Sequence, residues 1–152
     1  MILERSTTIP GRPLDEVFEF FSDPKNLARI TPESLGFEIL EAPSRKLREG
    51  DRIRYRIRLF GVPLRWVTLI EEWRDGHSFV DLQERGPYRL WRHLHEFVEV
   101  PEGVQMLDRV EYELPLGIPG RVFGGWLVRR QLDAIFDFRG RVIREVFSER
   151  NS

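Results

Sequence analysis

The chain has 152 residues, with 24 basic against 25 acidic, a net charge of −1 and no cysteine. That length suits one ordinary core, so a single domain over 1–152 is expected, and the near-neutral balance lacks the positive field of a nucleic-acid or anionic-membrane binder. Disulfides, thiolate metal ligands and cysteine nucleophiles are excluded. No window approaches the ~18 apolar residues of a membrane span, and MILERSTTI carries charge where a secretion signal needs an apolar run, so no stable membrane insertion and a cytoplasmic location are expected.

Ile2 to Ile9 alternates loosely and runs into Pro10-Gly11-Arg12-Pro13, which predicts a first strand closed by chain breakers. Pro13 suits the opening of a short helix with Val17, Phe18 and Phe21 on one face. Asp23-Pro24 opens a second helix, to about Ile30, before Thr31-Pro32 stops it. The period then changes to two. Gly36 to Leu40, Asp51 to Leu59, Leu64 to Trp73, His77 to Glu84, Tyr88 to Val100 and Val104 to Leu114 read as strands of a meander. Phe60-Gly61-Val62-Pro63, Asp75-Gly76, Gly86-Pro87 and Pro101-Glu102-Gly103 are its turns. From about Gly120 to Phe147, Val128, Leu132, Ile135, Phe136, Val142, Ile143 and Val146 recur at spacings of three and four. This predicts a long amphipathic helix with nowhere but the sheet to bury its stripe.

One strand, two short helices, a six-stranded meander and a long last helix form a distinctive order, and on it the chain resembles the START/Bet v 1-like superfamily. Within that superfamily it resembles the polyketide cyclase/dehydrase-like and coenzyme-Q-binding-like small proteins. The resemblance rests on IPGRPLDEVFEFFSDPKNLARITP, FGVPLRWVTLIEEW, GPYRLWRHLHEFVEVPEG and DRVEYELPLG. It implies an α+β helix-grip fold, a curved antiparallel sheet wrapped around the C-terminal helix, often with an elongated apolar cavity between them. None of these stretches is a catalytic signature, and fold alone does not settle function.

The stretch YRLWRHLHEF carries the densest chemistry. In a strand, Trp91, His93, His95 and Phe97 share one face, while Arg92, Leu94 and Glu96 take the other. Aligning the apolar faces of the last two strands sets Phe97 against Met106, His95 against Asp108, His93 against Val110 and Trp91 against Tyr112. A type I turn with a glycine bulge at Pro101-Glu102-Gly103 would slip this by one and set Asp108 against Glu96. The face pattern favours the first register. An aspartate in so apolar a row needs a partner, and His95 is the nearest. The pair is open to three readings: a hydrogen-bonded polar cluster, a set of ligand-orienting groups, or an acid/base pair. His93, His95 and Asp108 are also two imidazoles and a carboxylate, a ligand set known for zinc and non-haem iron. No further ligand clusters with them in sequence and His77 falls at a turn, so no metal or other cofactor is expected.

Arg52, Arg54, Arg56 and Arg58 form a charged row, expected as a solvated strand face neutralised by Glu71 or Glu72. Gly-x-Ser-x-Gly and glycine-rich phosphate loops are absent from the sequence. The expected function is reversible binding of a small hydrophobic molecule: a lipid, an isoprenoid or quinone, or a polyketide-like aromatic. Strand parity and the resemblance together line its cavity with Tyr55, Ile57, Trp91, His93, His95, Phe97, Asp108, Val110, Tyr112, Trp126 and Phe136. A second reading, implied by some similar proteins, is an aromatase, cyclase or dehydratase in which His95 is the acid/base, Asp108 orients it and Tyr112 donates to an enolate or carbonyl oxygen. A third is a protein-interaction module using the apolar groove. No nucleic-acid partner is expected.

Overall fold

The segments with a period of two become seven strands: β1 (Ile2–Pro10), β2 (Glu38–Glu41), β3 (Arg52–Leu59), β4 (Val62–Arg74), β5 (Ser78–Arg85), β6 (Leu90–Val100) and β7 (Gly103–Glu113). The computed structural model describes residues 1–115 and 117–149, apart from the side chains at 117, 118, 121, 123 and 149; residue 116 and residues 150–152 of the expected 1–152 domain lie outside the described residues. The strands form one antiparallel sheet in the order β1-β7-β6-β5-β4-β3-β2. Helices α1 (Leu14–Ser22) and α2 (Asn26–Arg29) follow β1, a single 3-10 turn spans Glu33–Leu35, and α3 (Gly117–Glu149) closes the chain. This is the helix-grip arrangement that the resemblance implies. No helix among the described residues is long and apolar enough to cross a membrane.

The β6–β7 register follows the apolar faces: Trp91 opposes Tyr112, His93 opposes Val110, His95 opposes Asp108 and Phe97 opposes Met106. The bulge that Gly103 suggests does not form. Val100 pairs directly with Gly103 across a two-residue loop. Gly103 has φ +150°, and a Cβ there would stand 2.2 Å from the carbonyl oxygen of Ile9, so the glycine serves the close approach of β1 rather than a bulge. At the other end of the sheet Phe60 (φ 51°) and Gly61 (φ 80°) make a two-residue hairpin loop in left-handed conformation, whose twist matches the strands it joins. The β4–β5 ladder has two register shifts, one leaving Glu84 of β5 unpaired opposite Val67 and Thr68 and one leaving Glu71 of β4 unpaired between Ile70 and Glu72. Such bulges bend a strand and increase its twist, which curves this side of the sheet.

The last helix does not touch the sheet evenly. Leu132 and Phe136 pack into one cluster with Val110 and Tyr112 of β7 and Leu3 of β1, while Ile143, Val146 and Phe147 pack with Ile9, Val104 and Met106. Polar ties follow the same line: Arg5 donates to Asp133 at 2.7 Å, Arg129 to the Ile2 carbonyl at 2.9 Å, and Arg12 to the Phe147 carbonyl at 2.9 and 3.1 Å. The helix is therefore seated on β1 and β7. Phe18, Phe20 and Phe21 of α1 fill the end near Phe97 and Phe147, with edge-on ring contacts of 5.3 Å between Phe18 and Phe97 and between Phe20 and Phe147.

Three of the four arginines in the row are paired, but with other carboxylates than expected. Arg52 pairs with Glu84 of β5, and Arg54 and Arg56 pair with Glu41 and Glu38 of β2, whereas Glu71 and Glu72 both meet Arg92. The short β2 edge strand, expected over Gly36 to Leu40, supplies two of these partners. Glycines test the packing directly. Gly103→Ala should destabilise the protein by at least ~2 kcal/mol, because both φ and the Ile9 carbonyl oppose a side chain. Gly125→Ala in α3, where an added Cβ meets nothing within 4 Å, should instead stabilise it by roughly 0.5–1 kcal/mol. Urea titration of both variants reads the opposite signs.

Candidate functional site

Because α3 rests on β1 and β7, the curved β3–β6 side stands off from it, and a cavity of about 180 Å³ lies in the gap. Its walls are Ile53, Tyr55 and Ile57 of β3, Trp66, Thr68 and Ile70 of β4, Phe79 and Asp81 of β5, Trp91, His93 and His95 of β6, and Leu132, Ile135, Phe136 and Arg139 of α3. Leu59 of β3, Tyr88 and residues between α1 and β3, among them Asp23, Asn26, Leu27 and Thr31, complete the lining.

Six of the expected lining residues are there: Tyr55, Ile57, Trp91, His93, His95 and Phe136. Five are not. Phe97 is buried against Phe18, Phe21 and Phe79 instead. Asp108, Val110 and Tyr112 do face inward, but they belong to β7, where the helix sits directly on the sheet and leaves no space. Trp126 is 66% exposed, because it precedes Val128 by two positions, about 200° around an α-helix from the stripe that meets the sheet. Tyr112 lies behind the cavity wall, against the rings of Tyr88 and Trp91, so the trio His95, Asp108 and Tyr112 does not meet at the cavity surface.

The histidines pair diagonally rather than straight across. His93 Nε2 donates to Asp108 Oδ1 at 2.7 Å, and His95 Nε2 donates to Asp81 Oδ2 at 2.5 Å. Directly opposite His95 on β5 stands Phe79, on whose ring the imidazole stacks at 4.2 Å, and the two imidazoles stack on each other at 3.6 Å. A side chain reaches its diagonal neighbour as readily as the opposed one when the opposed one is an aromatic plate. His95 Nδ1 accepts from Arg139 Nη2 at 3.3 Å, and the same guanidinium nitrogen is 3.4 Å from Asp108. Since arginine can only donate, that contact makes Nδ1 an acceptor and leaves the His95 proton on Nε2.

Asp81 and Arg139 are the members that sequence reasoning missed. Asp81 shares the parity of Phe79, but β5 carries apolar residues on both faces, at Phe79 and at Val80, so alternation does not say which face is inside. Arg139 falls three positions after Phe136 and seven after Leu132, within the buried stripe rather than between stripes. That placement is readable from spacing, yet it looks like one more solvated charge. Its guanidinium lies over the rings of Phe21 and Phe136 at 5.7 and 5.6 Å.

Burial and charge set the protonation states. Burial pulls His95 down to about 4, aided by the neighbouring His93 and only partly opposed by Asp81. For Asp108 burial works upward, but Arg139 and His93 hold it below the ordinary carboxylate range; for Asp81 burial again works upward, and His93, His95 and Arg139 outweigh it. Asp81, His93 and His95 bring three ligating atoms within 4.8 Å of one another, a spacing that a metal ion can bridge. Arg139 opposes that use, because a metal on His95 Nε2 would force the proton onto Nδ1, against the guanidinium.

The His95 shift makes stability pH-dependent. Its folded value of about 4 lies below the ordinary 6.5, so the unfolded chain takes up the proton first as pH falls, and stability drops between 6.5 and 4. The carboxylate contributions of Asp81 and Asp108 are lost only at lower pH. His95→Gln, which keeps an N–H for Asp81, should flatten the fall between pH 6.5 and 4 in urea titrations, whereas an unchanged slope would place its origin elsewhere.

Comparison with known proteins gives this site its context. Among curated proteins none matches the chain. TTHA0849 from Thermus thermophilus shares the fold at 20% identity, with a TM-score of 0.75 over 100% of this chain and 99% of its own. A START superfamily protein from Mycobacterium smegmatis does so at 10% identity, with a TM-score of 0.66 and coverage of 98% and 97%. Ginseng major latex-like protein 151 from Panax ginseng follows at 14% identity, with a TM-score of 0.68 and coverage of 97% on both sides. At these identities the likeness is one of fold. The family model described as polyketide cyclase / dehydrase and lipid transport matches residues 10–136, from the end of β1 to the middle of α3, and the chain belongs to that family.

Proposed function

We propose that the protein reversibly binds a small, largely apolar, ring-bearing molecule in the cavity under α3, with the polar end of the molecule directed to Asp81 and its neighbours. The observation that carries this reading is the make-up of the walls. Tyr55, Trp66, Trp91, Phe79 and Phe136 supply aromatic surface, while Asp81, His93, His95 and Arg139 form one connected polar group on the wall. Ligand sites combine a mostly apolar lining with a few placed polar atoms in this way. At about 180 Å³ the space is smaller than the ~300–1,000 Å³ of sites for drug-sized molecules, which favours a compact ring system over a long acyl chain.

The enzymatic reading loses ground on hydrogen bonding. A general base needs a free lone pair aimed at its substrate, and neither nitrogen of His95 offers one: Nε2 serves Asp81 and Nδ1 serves Arg139. His93 Nε2 is likewise committed to Asp108, and His93 Nδ1 faces the Asp81 carboxylate at 3.6 Å. The cluster holds its neighbours in place more readily than it moves protons.

The neutral fluorophore N-phenyl-1-naphthylamine should bind with one-to-one stoichiometry, and Ile57→Trp, which fills the cavity from β3, should weaken that binding at least tenfold while leaving the circular dichroism spectrum unchanged. Equal binding by the variant would locate the probe elsewhere and refute the cavity reading. Native mass spectrometry of freshly purified protein, followed by extraction, identifies what the cavity holds; a polypeptide in that extract would support the interaction-module reading instead.

A further inference from the structure

The buried cluster sets two carboxylates around one permanent cation, Arg139, and the outer carboxylate lies at the cavity surface. Asp108 is the inner carboxylate: its side chain is 3% exposed, and it meets both the Arg139 guanidinium at 3.4 Å and the His93 Nε2–H at 2.7 Å. Arg139 is thereby paired through Nη2, while its buried Nε has no hydrogen-bond partner among the described residues. Asp81 is the outer carboxylate, with its side chain 18% exposed on the cavity wall. Among the described residues it accepts one hydrogen bond, from His95, an imidazole that the Arg139 contact keeps neutral. His93 Nδ1 stands 3.6 Å away, beyond hydrogen-bond reach. Asp81 thus keeps one carboxylate oxygen without a hydrogen bond among the described residues, and aromatic rings surround the cluster: His93 packs edge-on against Phe136 at 5.5 Å and Trp91 at 6.4 Å, and the Tyr55 phenol is pushed up by burial and by the Asp81 charge.

A carboxylate at a low-dielectric surface attracts a cation strongly, and aromatic faces add to that attraction. Resting on the cavity-binding reading above, we infer that the ligand carries a protonated amine, an aromatic or otherwise compact organic ammonium whose N–H groups donate to Asp81 while its ring lies against the tryptophan and phenylalanine walls. A carboxylic acid is the disfavoured class, since it would add a third anion where Arg139 is already shared between Asp108 and His95. A metal ion would have to take the His95 lone pair that the proton occupies; an ammonium needs only the free oxygen of Asp81.

Three isosteres read the charge preference: tryptamine, indole-3-ethanol and indole-3-propionate, titrated calorimetrically at pH 7.5 with EDTA present. The expected order is amine tightest by at least tenfold over the alcohol, and acid weakest. Asp81→Asn should bring the amine-to-alcohol ratio to about one, and where that variant does not fold, the wild-type order of the three compounds decides. Equal affinities for amine and alcohol, or a preference for the acid, would overturn the inference while N-phenyl-1-naphthylamine binding leaves the cavity reading standing. Failure of that neutral probe together with all three indoles would refute the cavity reading itself.

Discussion

The structure turns on where α3 is tied to the sheet. Arg139 reaches across to Asp108 at the centre of β7, and Arg5–Asp133 and Arg129–Ile2 fasten the same helix to β1. An arginine buried under a helix is tolerable only with a carboxylate and further hydrogen-bond partners within reach, so its position fixes both the rotation and the placement of the helix. Everything on the β1–β7 side becomes solid core. Everything on the β3–β6 side faces a gap, because the bulged β4 curves away from a helix held elsewhere.

The same tie explains why two histidines and two aspartates sit together without forming a catalytic pair of the expected kind. Arg139 occupies the nitrogen of His95 that a base would use, and it matches the charge of Asp108, the carboxylate that the register places opposite His95. His95 turns to Asp81 instead, and the stacked plates Phe79, His95 and His93 hold that geometry rigidly. Most polar groups of the cluster are spent on one another, and Asp81 keeps a carboxylate oxygen without a hydrogen bond among the described residues. That oxygen gives the largely apolar cavity an anionic acceptor on its wall.

Much of this was readable from residue order. The strand, helix, meander and last-helix sequence, the face shared by Trp91, His93 and His95, and the register that opposes His95 to Asp108 all follow from periods of two and of three to four. The turn at Gly103 misleads on its own, because the close approach of Ile9 in β1, 94 positions earlier in the chain, is what requires glycine there. Tyr55, Ile57 and Phe136 were assigned to the lining by parity, and so were Val110 and Tyr112; the first three border space and the other two do not.

Sequence alone therefore determined the order of elements, the inward faces and the pairing of β6 with β7, because these depend on local periodicity and on burying contiguous apolar rows. Tertiary structure decided which carboxylate each imidazole meets, that Arg139 is an internal group, and which inward residues border a cavity. Those outcomes depend on the seat and rotation of one helix against a curved sheet, a balance of contacts between residues far apart in the chain that no local pattern encodes.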